Sequence, residues 1–215
     1  MQVVACLCGS HHALRAQNYT HKSRHRALQL GQRWYHKHIM GCCTSKVNAD
    51  PVSTVLVIGP ESAGKTTLLR SVGRRCAGAD EGEPVRTMPT IGQEVEYLAG
   101  PGARVMLQEI GGCLAPTWPR YYDRAAAVLF VVDAAAPETW AEALVLLEEL
   151  AGAVREKPVG VVLNKLDADG ADGSAARGLL GLEDLAVDVF EGSLTGKGAL
   201  VDDLKAFALA ARPKN

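Results

Sequence analysis

Two short stretches of the chain combine residue types and spacings that suit a definite chemistry. Gly59 to Thr67 reads Gly-Pro-Glu-Ser-Ala-Gly-Lys-Thr-Thr, with Gly59, Gly64, Lys65 and Thr66 at the fixed places of G-x-x-x-x-G-K-[ST]. Glycines there let the backbone curl through Pro60, Glu61, Ser62 and Ala63 until successive N–H groups point at one anion. A helix that starts near Lys65 and Thr67 aims the positive end of its dipole at the same place. Lys65 would reach the β- and γ-phosphates of a nucleotide, and the Thr66 hydroxyl would hold Mg²⁺. The second stretch is Asn164-Lys165-Leu166-Asp167. A carboxylate at Asp167 accepts two hydrogen bonds from the N1–H and exocyclic amine of guanine, a pair that adenine cannot supply. The Lys165 stem can lie along the base, and Asn164 can tie loops together.

These residues need elements to hold them. Ser53 to Ile58 is a short β-branched apolar run, as a buried parallel strand requires, and Leu68, Leu69 and Val72 follow with helical spacing. Cys76 to Met88 is rich in Gly, Asp and Glu and reads as a loop. Gln93 to Leu98 and Arg104 to Ile110 read as paired strands around a turn at Gly100-Pro101-Gly102. Ala125 to Val132 is a continuous apolar strand. A helix follows Pro137, with Trp140, Leu144, Leu147, Leu150 and Val154 as its buried stripe. Val159 to Leu163 is another buried strand, ending at the Asn-Lys-Leu-Asp. Ala168 to Ser174 reads as a loop, Leu179 to Leu185 as a short helix and Val187 to Phe190 as a strand. Ala199 to Ala211 closes the body as a helix with Leu200, Leu204 and Phe207 inward. Strands alternating with helices predict an α/β fold with a mostly parallel sheet and ligands at the carboxyl ends of its strands.

With these motifs in place, residues 53–210 resemble the small GTPases, and within them the ADP-ribosylation-factor family. The resemblance rests on the phosphate loop, Pro89-Thr90-Ile91-Gly92, Gly111-Gly112, Trp118 with Tyr121, Phe130-Val131-Val132-Asp133 and the Asn-Lys-Leu-Asp. Glu109 to Cys113, followed by Pro116, Trp118 and Tyr121-Tyr122, is similar to one Arf-like branch of that family. The resemblance implies a P-loop G-domain, with a six-stranded, mostly parallel sheet, helices on both faces and the strand near Gln93–Leu98 antiparallel. It also implies a GTP/GDP switch that needs Mg²⁺ and meets effector, exchange-factor and GTPase-activating proteins. Carried over by residue, Thr90 resembles the switch threonine that ligates Mg²⁺ beside the γ-phosphate. Gly112 resembles the glycine whose N–H meets that phosphate, and Ser193 falls where a base-contacting serine stands. Trp118 reads as packing rather than as a ligand contact.

Three positions depart from the family. Glu109 stands where the family has Asp, so one extra methylene reaches toward the metal. Gln93 stands where many relatives have Phe, which alters the effector face. Cys113 stands where the family usually has the Gln that orients attacking water. A thiol is a weak donor and acceptor, so intrinsic hydrolysis is expected to be slow or negligible. The body carries no His as an activating base, which argues against Cys113 as a nucleophile. A GTP-holding scaffold that rarely turns over is therefore an open alternative to a cycling switch. A P-loop kinase of nucleosides or nucleotides is a weaker one, because no Arg cluster stands where such enzymes place a lid.

Bulk properties set the remaining bounds. At 215 residues and 47% hydrophobic, the chain can bury a substantial core. Residues 1–39 hold six of the 23 Lys/Arg, all six His and none of the 24 acids, so the remainder has 17 bases against 24 acids. That acidic body is not a nucleic-acid binder by charge. Six scattered cysteines argue for a reducing, cytoplasmic setting over a disulfide scaffold. The basic stretch 1–39 has no apolar periodicity and is expected to be disordered, with a mitochondrial presequence as the competing reading. Residues 40–52 read as a linker that can carry lipid, and 53–212 as the GTP-binding domain. Met40-Gly41-Cys42-Cys43-Thr44-Ser45 fits M-G-x-x-x-S. If translation starts at Met40, Gly41 becomes a myristoylation site with Cys42 and Cys43 placed for palmitoylation. Two such chains anchor a protein peripherally on membranes where one does not.

Overall fold

The computed structural model describes residues 52–78, 90–100, 103–195 and 199–211. Six strands form one sheet in the order β2-β3-β1-β4-β5-β6. They are β1 (Ser53–Ile58), β2 (Gln93–Gly100), β3 (Ala103–Ile110), β4 (Ala127–Asp133), β5 (Val159–Asn164) and β6 (Asp188–Glu191). β1 lies parallel to β3 and β4, with Val55 opposite Leu107 and Ile58 opposite Phe130. β5 joins parallel to β4 and β6. Only β2 runs antiparallel, against β3.

The central strands are apolar at nearly every position because both faces of the sheet are covered. Successive side chains of β1 part company: Val55 and Val57 enter one buried cluster, Leu56 and Ile58 the other. On the first face lie α1 (Lys65–Cys76), through Leu68, Leu69 and Val72, and the C-terminal helix, through Leu200, Val201, Leu204 and Ala208. On the second lie α2 (Pro119–Tyr122), α3 (Trp140–Ala153) and α4 (Gly173–Leu179). The C-terminal helix, α5, spans Leu200–Ala210. This is the six-stranded G-domain architecture that the motifs imply.

Details differ from the sequence expectations. The helix expected over Leu179 to Leu185 starts earlier, at Gly173, and stops at Leu179. Asp172 caps it, its side chain accepting the Ala175 N–H at 2.8 Å. Gly181, at φ +61°, then turns the chain, and only a 3₁₀ turn, Leu182–Asp184, follows. Cys76 closes α1 rather than opening the loop. Phe207 is half-buried and stands edge-on to Phe190, while Val201 and Ala208 fill the deeper positions of α5. Trp118 is buried against Phe130, and its indole N–H donates to the Gly111 carbonyl at 3.3 Å. The basic stretch 1–39, the acylation candidates Gly41, Cys42 and Cys43, and residues 79–89 lie outside the described residues. Among the described residues no helix is long and apolar enough to cross a membrane.

Candidate functional site

The phosphate loop joins β1 to α1, and two of its glycines are sterically required. Gly59 sits at φ +142°, and a Cβ there would fall 2.1 Å from the Val131 carbonyl oxygen. Gly64 sits at φ +101°, with a Cβ 2.3 Å from the Asn164 amide nitrogen. Between them Pro60 and Ala63 are buried, Glu61 and Ser62 are exposed, and Ser62 takes a left-handed φ of +60°. α1 then starts at Lys65, with Thr67 half-buried in its first turn. The buried Lys65 ammonium donates to the Gly59 and Pro60 carbonyls at 3.0 and 2.6 Å. Burial pushes its pKa down, while the nearby carboxylates Glu109 and Glu61 pull the other way.

A cluster of oxygens lies beside this lysine. The Thr66 hydroxyl is 2.9 and 2.8 Å from the two carboxylate oxygens of Glu109 and 3.0 Å from the Thr90 hydroxyl. Burial raises the Glu109 pKa, and the Thr66 hydrogen bond and Lys65 oppose that shift. Thr90 comes from the segment before β2, Glu109 from near the end of β3 and Thr66 from α1. Gly111 locks the first two together. Its N–H donates to Gly92 at 3.0 Å, and a Cβ on it would lie 2.2 Å from the Thr90 carbonyl. Gly112 lies against the phosphate loop, where a Cβ would fall 2.6 Å from the Glu61 nitrogen. Cys113 is exposed, and its thiol lies 3.9 Å from the Thr90 carbonyl.

The Asn-Lys-Leu-Asp stretch follows β5. Asn164 is buried; its amide donates to Ala63 at 2.9 Å, and its carbonyl accepts the Leu194 N–H at 3.1 Å. One side chain thus clamps the phosphate loop to the turn after β6. Lys165 takes φ +65°, and its ammonium pairs with Asp133 at 2.5 Å. Asp167 is exposed, and the Thr195 hydroxyl reaches it at 3.4 Å while lying 2.9 Å from the Ser193 hydroxyl. A cavity of about 390 Å³ runs from Cys113 and Glu109 past the loop to Lys165. Lys65, Thr66, Thr90, Gly112 and Lys165 line it; Asp167 and Ser193 do not.

Sequence reasoning missed two contributors here. Thr195 shows no motif of its own, and Asp133, which stands in the Phe-Val-Val-Asp stretch of the resemblance, gives no local sign that it pairs with Lys165. A larger cavity, about 810 Å³, opens at the other end of the strands, beside Ser53, Ala127, Pro158 and Asp188. Its lysine, Lys157, is already engaged by the Tyr122, Asp123 and Ala125 carbonyls. The phosphate-loop residues line the smaller cavity and not this one.

Comparisons with known proteins agree with the fold. The model of the ADP-ribosylation factor family matches residues 40–205. The chain is 34% identical to human ADP-ribosylation factor-like protein 16 over 52% of its own length and 59% of that protein's, so it spans about three fifths of that relative. It is 34% identical to ADP-ribosylation factor-like protein 1 of Drosophila melanogaster, over 67% of this chain and 81% of the relative. Among solved structures, the Arl6 BBS3 small GTPase of Trypanosoma brucei, determined with the nucleotide analogue GppNp, superposes with a TM-score of 0.58 at 22% identity. The match covers 74% of this chain and 99% of that one. The mammalian SRP receptor superposes with a TM-score of 0.62 at 18% identity, over 74% of this chain and all of the other. At these identities the structures speak for the fold.

Proposed function

Because the chain belongs to the ADP-ribosylation factor family of GTP-binding switch proteins, we propose that it cycles between GTP and GDP with intrinsically slow hydrolysis. The observation that carries this is the Asn164 clamp, which ties the phosphate loop and the turn after β6 to the strand end that precedes Asp167. The amides from Gly59 to Thr67 bind the phosphates, and Lys65 leaves its loop carbonyls to meet them. Asp167 takes the guanine edge, with Lys165 along the ring and Ser193 beside the base. Thr66, Thr90 and Glu109 are hard oxygen donors at close mutual range, a set that fits Mg²⁺. The ion would neutralise phosphate charge when bound. Thr90 and the Gly112 N–H sense the γ-phosphate, so its loss frees both segments and ends effector binding.

Cys113 sets the rate. An amide at this place would hold a water from two sides; an exposed thiol cannot. Effectors, exchange factors and GTPase-activating proteins are the partner kinds such a switch requires. The Met40-Gly41-Cys42-Cys43-Thr44-Ser45 pattern is what supports acylation of Gly41, Cys42 and Cys43 behind an initiator methionine. Intact-mass analysis of the native protein should then find a chain starting at Gly41 with an added acyl group; a chain retaining Met1 would refute this part. Single-turnover assays should find hydrolysis at least tenfold faster in Cys113→Gln than in the unmutated protein. Rapid hydrolysis by the unmutated protein would overturn the assignment. Hydrolysis absent from both, with GTP retained, would favour the scaffold reading.

A further inference from the structure

Glu109 is 1% exposed, and no ion pair among the described residues reaches it. Lys65 acts on it electrostatically, yet the ammonium hydrogens go to Gly59 and Pro60. Beyond that field from Lys65, the buried carboxylate is held by neutral hydroxyls and no direct ion pair, a costly arrangement. Its spacing from its neighbours is also informative. Mg²⁺ demands a near-ideal octahedron with ligands at about 2.0–2.1 Å, so adjacent ligands sit about 2.8–3.0 Å apart. The hydrogen bonds from Thr66 to Glu109, at 2.8 and 2.9 Å, and between Thr66 and Thr90, at 3.0 Å, hold these oxygens at separations compatible with that spacing.

We propose that Glu109 is a direct ligand of the Mg²⁺ ion, one carboxylate oxygen on the metal and the other accepting the Thr66 hydroxyl hydrogen. This deepens the GTP/GDP reading above and rests on it. A hydroxyl that ligates a cation is polarised and needs a strong acceptor for its hydrogen. Both oxygens of Glu109 lie within reach of Thr66, so the second can take that role. An aspartate, shorter by one methylene, leaves room for a water between carboxylate and ion. The glutamate spans that gap, replaces a water and adds a negative charge to the coordination sphere.

The test loads the full chain with GDP and Mn²⁺ as a paramagnetic stand-in for Mg²⁺. Line broadening in ¹⁷O-water should count one fewer exchangeable water on the ion in the unmutated protein than in Glu109→Asp. Equal counts would overturn the proposal. A second readout needs no variant. Protein labelled with carboxyl-¹³C glutamate should show one strong Mn²⁺–¹³C coupling by electron–nuclear double resonance, and absence of that coupling is equally fatal. In mant-GDP release assays, Glu109→Gln should need at least tenfold more Mg²⁺ to retain nucleotide; an unchanged Mg²⁺ requirement contradicts the idea. Nucleotide binding with equal water counts removes this inference alone. Failure to bind GDP and GTP at all removes the switch reading with it.

Discussion

Asn164 concentrates the consequences of a single side chain. It is buried and satisfies a carbonyl on one loop and an N–H on another, at 2.9 and 3.1 Å. Truncation leaves the Ala63 oxygen and the Leu194 N–H without their partner, and each orphaned buried group costs about 1–3 kcal/mol. Asn164→Ala should therefore lose about 3 kcal/mol in urea unfolding and weaken GDP binding together with stability. A loss below about 1 kcal/mol would mean that the loops hold without the clamp. What the sequence discloses at this scale divides by locality. Gly59 to Thr66 and Asn164 to Asp167 are contiguous, so their spacing alone reveals them. The Lys165–Asp133 pair depends on the β4–β5 register, in which Asp133 lies opposite Asn164. The reach of Glu109 to Thr66 likewise needs β3 beside β1, with Val57 opposite Glu109. No local pattern carries those pairings.

Elements tell a similar story, with packing deciding where local preference does not. Gly73 stands inside α1, where glycine costs about 1 kcal/mol against alanine. A Cβ on it would lie 2.7 Å from the Glu96 carboxyl group, so the bare helix surface accommodates a half-buried acid from β2. Burial, and secondarily the neighbouring Glu94, raises the Glu96 pKa above its ordinary 4.5. The folded state therefore holds this proton more tightly than the unfolded chain does. Stability from this group is fully present below the unfolded pKa and falls as pH rises through the folded one. Glu96→Gln should accordingly stabilise the protein at pH 7 and remove this group's loss of stability as pH rises above the ordinary carboxylate range in urea melts. A variant that is less stable than its parent at pH 7 would show that the carboxylate makes a net favourable contact there. The buried strands and α3 were legible because their apolar runs are long and unambiguous. α4 was not, because its seven residues bury only Ala176 and its boundary rests on the Asp172 cap. An Asp four residues before a buried small residue is a faint signal beside the Leu-rich segment that follows it.

At the scale of the whole molecule, the sheet brings distant strand ends to one rim. The loops after β1, β3 and β5 and the turn after β6 meet there, joined through Asn164, Gly111 and Gly112. A ligand gripped by all of them binds the folded chain and not the unfolded one, so its binding energy adds to global stability. At one hundred times its dissociation constant that gain is about 2.7 kcal/mol. For a domain of this size each kcal/mol moves the melting temperature by about 2–4 °C. GDP or GTP with Mg²⁺ should therefore raise the calorimetric midpoint by about 5–10 °C, and ATP at the same concentration should leave it in place. The purine contrast isolates Asp167, since both nucleotides offer the same phosphates to Lys65 and the loop amides. Chelating the metal should shrink the guanine shift without abolishing it, because the amides and Asp167 do not depend on the ion. An equal rise with ATP would leave the phosphate loop intact as an anion site while removing guanine selection, and with it the case that this rim reads GTP.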